Sequence, residues 1–418
     1  MGSMVSAQSD YDSGSTQPIP AGKTCLNQTV PVTISSRNAV FDVDIPHNNL
    51  DVVTFTLNST RQSFNFTGDV LTGYNTVSGT YNMSTKFCYD ANMKNQNPTL
   101  QILTHGIGFD KAYWDLPYNA YNYSYINSAL SAGYVTLSYD RLGIGNSSHG
   151  EPLNEIQSFL EIQALRALTT MLREGNFPNV PKTYPEIVHV GHSFGSAQTY
   201  QFASLYPNET QAIVLTGFSM NESFFPVFGG GANFVLASQN APLRFGNVPV
   251  AALEQYIELS PFFDYIQPID LESLPASQNL PDGYLIPSDV EANLFLYFYP
   301  KNFDNGLLFS NEKTKQPVTL GELLTLGSLA PKNSYAGPVL VITGSNDLPY
   351  CGGDCLATGG ALASIPAGMS TNFPNVAPDN FTAYIQPATG HGINAHYNST
   401  GAYRVINNYL AGKGLVSK

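Results

Sequence analysis

A serine held between glycines, Gly191-His192-Ser193-Phe194-Gly195, is the segment of this chain best suited to nucleophilic chemistry. The run Ile187-Val188-His189-Val190 leads into it, and Ser196-Ala197-Gln198-Thr199-Tyr200-Gln201-Phe202-Ala203 leads out with helical spacing. This is G-x-S-x-G in a strand–turn–helix setting, the pattern of a nucleophile elbow. Such a turn strains the serine backbone and leaves no room for a Cβ at 191 or 195. It lifts the Ser193 hydroxyl above the sheet edge and aims a helix N-terminus at a developing oxyanion. G-x-S-x-G alone is a weak signal in a chain rich in glycine and serine, so the partners must also appear in order.

In this arrangement the serine is followed along the chain by an acid and then a histidine. Of the 7 histidines, only His391 and His396 lie late enough. His391 follows the strand-like run Phe381-Thr382-Ala383-Tyr384-Ile385 and sits between Gly390 and Gly392, which suits presentation from a tight loop. It is the first choice as general base, with His396 second. The acid should close the preceding strand, and Pro338–Thr343 is a buried-strand run followed by Gly344-Ser345-Asn346-Asp347. Asp347 is favoured as the carboxylate that orients the imidazole. Asp354, inside Cys351-Gly-Gly-Asp-Cys355, is the competitor. An oxyanion needs two backbone N–H groups. Phe194 supplies one. The other is expected from His105-Gly106-Ile107-Gly108-Phe109, the exit of the strand Leu100–Thr104, with Ile107 first and Gly108 second. His105 reads as a brace for that loop.

With Asp140-Arg141-Leu142-Gly143-Ile144-Gly145-Asn146-Ser147 added after the strand Tyr134–Tyr139, these motifs together resemble the α/β-hydrolase superfamily of serine hydrolases. The likeness spans roughly residues 95–220 and 335–415. The late Gly-His-Gly-Ile-Asn segment and the Cys351–Cys355 loop look like secreted fungal members, of esterase or lipase type. The resemblance implies an α/β fold, a mostly parallel twisted sheet with helices on both faces, and an inserted cap. It implies acyl-enzyme chemistry with no metal and no organic cofactor. Relatives that cleave epoxides or carbon–halogen bonds use a carboxylate where Ser193 stands, so those reactions are disfavoured.

Composition narrows the setting. The chain has 418 residues, is 43% hydrophobic and 12% aromatic, and has a net charge of −13. That is ample for a packed core plus an elaboration. Charged residues make up only 12%, against about 25% in ordinary domains. No cluster of lysine or arginine favours nucleic acid, and no apolar run reaches the roughly 18 residues of a membrane span. Met1-Gly-Ser-Met4 reads as a cloning remnant from which a leader has been removed, and the polar segment to Gly22 as a flexible tail. Secretion is expected on two grounds. Asn-x-Ser/Thr sequons stand at Asn27, Asn58, Asn65, Asn82, Asn122, Asn146, Asn208, Asn221, Asn380 and Asn398, with Asn146 expected to be occluded in its loop. The 4 cysteines allow three pairings, of which Cys25–Cys88 and Cys351–Cys355 are expected; their spacing does not suit zinc.

The elements that must position the site follow from periodicity. Residues 28–90 alternate apolar and polar, and Val30–Ile34, Val40–Asp44, Val52–Leu57 and Gly79–Met83 read as strands of an antiparallel edge. From Leu100, buried strands at 100–104, 134–139, 187–190, 212–216 and 338–343 alternate with helical stretches, one running about 154–174 with a polar cap at Asn154. The organisation expected is a tail at 1–22, a first core part at 23–220, a cap at 221–330 and a second core part at 331–418. The cap is rich in aromatics: Phe224, Phe225, Phe228, Tyr256, Phe262, Phe263, Tyr265 and Phe295–Tyr299. Phe224, Phe225, Phe228 and Trp114 are candidates to line a pocket over Ser193 for an apolar or aromatic small molecule. Peptide, lactone and acyl-transfer substrates share the same intermediate; a peptidase that grips an amino terminus would need a cap carboxylate such as Asp264 or Glu291. A catalytically silent binding module is the remaining alternative, and nothing in the chain sets its oligomeric state.

Overall fold

The computed structural model describes residues 18–94, 97–180, 182–247 and 277–416. Eleven strands are found there. They are β1 (Lys23–Phe41), β2 (Leu71–Asp90), β3 (Leu100–Thr104), β4 (Val135–Tyr139), β5 (Ile187–His192), β6 (Ala212–Thr216), β7 (Val235–Leu236), β8 (Tyr284–Ile286), β9 (Val318–Thr319), β10 (Val339–Gly344) and β11 (Phe381–Gln386). Eight form one sheet in the order β1-β2-β4-β3-β5-β6-β10-β11. From β4 through β11 neighbouring strands are parallel, while β1–β2 and β2–β4 are antiparallel. The parallel strands β3, β4, β5, β6 and β10 are buried along their whole length. Their burial along the whole length reflects coverage on both faces.

One face is covered by the helix Ser158–Glu174, whose Leu160, Leu165 and Leu168 meet Val30, Val32, Met83 and Leu137. The other is covered by helices Tyr125–Ser131 and Ser399–Gly412, which bring Tyr125, Leu130, Tyr403 and Leu410 against Leu103, Val188 and Val341. Buried phenols compensate for the sparse charge by finding acceptors: Tyr125 donates to Gln101 Oε1 (2.7 Å) and Tyr403 to the Tyr123 carbonyl (2.8 Å).

The N-terminal edge differs from the period-2 reading. It holds two long strands rather than four short ones, and Val52–Leu57 lies in a helix, Asn49–Ser59. Asn48 caps that helix, accepting from the Leu50 and Asp51 amides, and only Val52 and Phe55 are buried, one helical turn apart. A short apolar run fits either period, and here the cap decides. Val40–Asp44 straddles the end of β1 at Phe41. The helix expected from 154 begins at Ser158 and has no side-chain cap. Asn154 instead accepts the Phe41 N–H (3.0 Å), tying the segment before the helix to β1.

Between β6 and β10 lies the insertion. β7, β8 and β9 form a small antiparallel sheet on which helix Leu320–Thr325 packs, and helix Val290–Tyr297 packs between Phe225–Ala232 and Asn305–Thr314. Tyr256, Phe262, Phe263, Asp264 and Tyr265 lie outside the described residues, as does the tail up to residue 17. A buried ion cluster joins insertion to core. The Arg141 guanidinium meets Glu161 of the Ser158–Glu174 helix at 3.0 Å and Glu322 of the insertion at 2.5 Å, all three fully buried or nearly so. The same guanidinium lies 4.7 Å over the Phe194 ring. Burial holds the Glu161 carboxyl well above the usual carboxylate range, and Arg141 opposes that shift.

Cys25 pairs with Cys88 across opposed positions of β1 and β2, and Cys351 with Cys355. Removing one member of a buried ion cluster strands the others without water. Arg141→Leu is therefore expected to lose about 3–5 kcal/mol of stability, read as a lower denaturant midpoint with an unchanged slope.

Candidate active site

Four loops leave the carboxyl ends of the parallel strands at one rim of the sheet. Ser193 directly follows β5 and opens the helix Phe194–Leu205 with φ 55° and ψ −119°, a left-handed conformation unusual for a side-chain-bearing residue. Packing enforces the strain. A Cβ on Gly191 would lie 2.3 Å from the Gly195 carbonyl oxygen, and one on Gly195 would lie 2.3 Å from that of Thr104. The Ser193 N–H is held by the Thr216 carbonyl of β6 at 2.9 Å.

The partners meet it. His391 Nε2 lies 2.7 Å from Ser193 Oγ, and His391 Nδ1 lies 2.6 Å from Asp347 Oδ2. All three residues are buried. Asp347 Oδ1 accepts the Tyr350 amide (3.0 Å), and the Asp347 carbonyl accepts that of Gly353 (2.9 Å), so both ends of the residue are fixed in a loop closed by the Cys351–Cys355 bridge. Asp354 points elsewhere, accepting the Leu356 amide.

His396, the second choice as base, braces the His391 loop. Its Nε2 accepts the amides of Gly390 (3.1 Å) and Tyr299 (2.8 Å), and its Nδ1 faces the Gly392 carbonyl at 2.9 Å. Two donors on Nε2 require a neutral ring protonated at Nδ1. Burial lowers its pKa to about 4, against the hydrogen bond to Gly392.

The loop after β3 lies against the serine. A Cβ on Gly106 would be 2.8 Å from that of Ser193. Three successive carbonyls of this loop are occupied. His105 Nδ1 meets the Gly106 oxygen at 2.9 Å, the Tyr297 hydroxyl donates to the Ile107 oxygen at 3.2 Å, and the Gln316 N–H donates to the Gly108 oxygen at 3.0 Å. In a trans peptide the N–H points opposite to its C=O. The peptides carrying the Ile107 and Gly108 N–H groups are thus each oriented through their carbonyls. Phe194, first residue of its helix, contributes an N–H that has no intrahelical acceptor. His105 is a brace: its Nε2 accepts the Arg141 amide (3.1 Å), and burial, then the Arg141 charge, pushes its pKa well down.

Other candidates fall in several places. Trp114 sits in the core edge-to-face with Tyr113 and Tyr125, not over the serine. Its neighbour Tyr113 stacks on His192 at 4.4 Å and holds Asn394 of the histidine loop. Phe225 packs on Tyr350 at 5.5 Å, Phe224 against Gly352, and Phe228 on Phe234 inside the insertion. Glu291 is exposed on the insertion, and Asp264 lies outside the described residues. Asn146 is exposed rather than occluded.

Sequence reasoning missed Tyr350 and Tyr297. Tyr350 lies three residues after Asp347, its ring 5.8 Å from His391 and its side chain beside Ser193. Tyr297 stacks on His391 at 6.1 Å. Proximity to the acid in a bridged loop could have flagged the first; nothing local flags the second.

Unfolded, an ordinary histidine takes up a proton near pH 6.5, whereas native His396 does so only near pH 4. Between those values unfolding binds a proton, so this contribution to stability is complete above pH 6.5 and is lost as pH falls toward 4. The change approaches about 1.4 kcal/mol per pH unit. His396→Gln, which keeps an acceptor but does not titrate, is expected to show a stability–pH slope shallower by that amount, measured by urea unfolding between pH 6.5 and 4.5.

Comparison with known proteins agrees with the architecture. The family model described as Alpha/beta hydrolase family matches residues 101–396. No curated protein matches the chain significantly. Among solved structures it is similar to a thermophilic esterase from Thermogutta terrifontis (13% identity, 80% of this chain and 94% of that one, TM-score 0.44). It is also similar to a putative non-heme bromoperoxidase, BpoC, from Mycobacterium tuberculosis H37Rv (16%, 79% and 96%, 0.47). A third is epoxide hydrolase A from Mycobacterium thermoresistibile (15%, 79% and 95%, 0.45). With its elbow, its parallel sheet and the matched span, the chain belongs to the alpha/beta hydrolase family.

Proposed function

We propose that this protein is a secreted serine hydrolase that cleaves carboxylic esters of apolar or aromatic small molecules through an acyl-enzyme. The observation that carries the reading is the unbroken chain of hydrogen-bond contacts from Ser193 Oγ to His391 to Asp347, at 2.7 and 2.6 Å. Ser193 Oγ attacks the ester carbonyl while His391 Nε2 takes its proton. His391 then delivers that proton to the departing alkoxide. Water, deprotonated by the same nitrogen, attacks the acyl-enzyme; as the bond to Ser193 Oγ breaks, His391 returns the proton to that oxygen and the acid leaves. Asp347 keeps the imidazole in the tautomer with its proton on Nδ1 and stabilises the imidazolium. The N–H groups of Phe194 and of Ile107 or Gly108 stabilise the negative oxygen of each tetrahedral intermediate.

The rings of Tyr297 and Tyr350 beside His391, with Phe225 packed on Tyr350, support an apolar acyl or alcohol group. Two cystine bridges and exposed sequon asparagines at 27, 65, 82, 146 and 208 support secretion.

Against a panel of esters, lactones and aminoacyl amides, activity is expected to be highest on esters. Ser193→Ala should reduce turnover by about 10⁴-fold or more and abolish labelling by a fluorophosphonate probe. A variant that keeps its activity, or a wild type that takes no label, overturns the assignment.

A further inference from the structure

Among the described residues of the insertion, Tyr297 bonds both the loop after β3 and the loop after β11. Its hydroxyl donates to the Ile107 carbonyl (3.2 Å) in the loop after β3. Its own carbonyl accepts the Gly392 N–H (2.7 Å) in the loop after β11. Between these two bonds its ring lies nearly parallel to the His391 imidazole, at 6.1 Å and 21°. Tyr297 itself is fully buried.

The bond to Ile107 matters because of what shares that peptide. The C=O of Ile107 and the N–H of Gly108 belong to one plane and point oppositely. Gly108 has φ +82°, which glycine tolerates readily, so sequence alone does little to stop this plane from rotating. With the Gly108 N–H taken as an oxyanion donor, a rotated plane would put a carbonyl dipole where that N–H stands. A hydroxyl on the carbonyl opposes that rotation and also polarises the N–H at the far end of the plane. The insertion holds the loop twice more, through the Gln316 N–H on the Gly108 carbonyl (3.0 Å) and Gln316 Nε2 on Asp110 (3.0 Å). No room remains between tyrosine and loop: a Cβ on Gly108 would stand 2.4 Å from the Tyr297 hydroxyl oxygen.

We propose that Tyr297 is a positioning residue that holds the Ile107–Gly108 peptide, whose N–H is one of the two oxyanion donors this loop offers, in its working orientation and sets it in register with His391, making the insertion a structural part of the reaction centre. This rests on the acyl-enzyme reading above. The phenol touches no reacting atom; it acts through the Ile107–Gly108 peptide.

The test is Tyr297→Phe, which keeps ring and backbone and removes one O–H. Functional sites are counted by fluorophosphonate titration, so that misfolded material does not enter the rate. Per titrated site, kcat on a p-nitrophenyl ester is expected to fall about tenfold or more, short of the 10²–10³ for deleting a donor outright, with KM within about threefold. Affinity for an arylboronic acid, which forms a tetrahedral adduct on the serine, should fall in parallel with kcat/KM. A tyrosine that only stabilises the fold would lower the melting temperature and the titre and leave both other quantities unchanged. Values of kcat per site and boronate affinity within twofold of wild type overturn the proposal. If the phenylalanine variant does not fold, Gly108→Ala, which drives a methyl into the same contact, is judged by the same two readouts. A wild type without label at Ser193 defeats the serine reading itself; a labelled wild type with an unaltered Tyr297→Phe defeats only this inference.

Discussion

The candidate active site depends on one steric fact: three backbone segments approach each other more closely than any side chain allows. The turn at 191–195 lies against the end of β3 and the start of its own helix, and β-carbons at either glycine would overlap main-chain atoms. That closeness forces Ser193 into its left-handed conformation. It also brings the loop after β3 within contact of the serine, so Ser193 and the Ile107 and Gly108 peptides are positioned by the same compression.

The remaining groups arrive by topology. β10 and β11 lie beyond β6 in the sheet, and their loops leave from the same rim. Asp347 and His391 therefore converge on the serine from one side, while the loop after β3 approaches from the other. Local ties finish the placement. Asp347 is fixed at both its carboxylate and its carbonyl, His391 by the neutral His396 beneath its loop, and the β3 loop by His105. Two of these braces are histidines whose burial keeps them uncharged. A chain with so few ionic groups thus uses imidazole as a rigid amphiprotic connector.

Much of this was legible in the sequence, and the reason is local. Ser193, Asp347 and the 105–108 loop each sit at or just past the end of a buried strand, and His391 sits in the loop after the strand-like run 381–385, so order along the chain translates into position at the rim. The fold class followed from the same alternation. What was illegible arises where local signals are ambiguous or the partner is remote. Val52 and Phe55 satisfy a strand pattern as easily as a helical one, and the cap at Asn48 decides between them. Asn154 looks like a helix cap but is recruited by Phe41 on β1. Trp114 borders the site in sequence and lies behind it in space, because the short helical turn at 111–114 sends Tyr113 forward instead. Tyr297 is one aromatic among several in Phe295–Tyr299, and no spacing marks it as the one that reaches two loops.

The attachment of Tyr297 to both sides of the rim bears on how molecules come and go. In a hydrolase with a free-standing cover, the cover swings away and leaves the machinery beneath it intact. Here the Val290–Tyr297 helix cannot lift without breaking the bonds to Ile107 and Gly392 together. The roof and the reactive floor share beams. Lifting that helix would loosen the loop after β3 and the loop after β11 at the same moment.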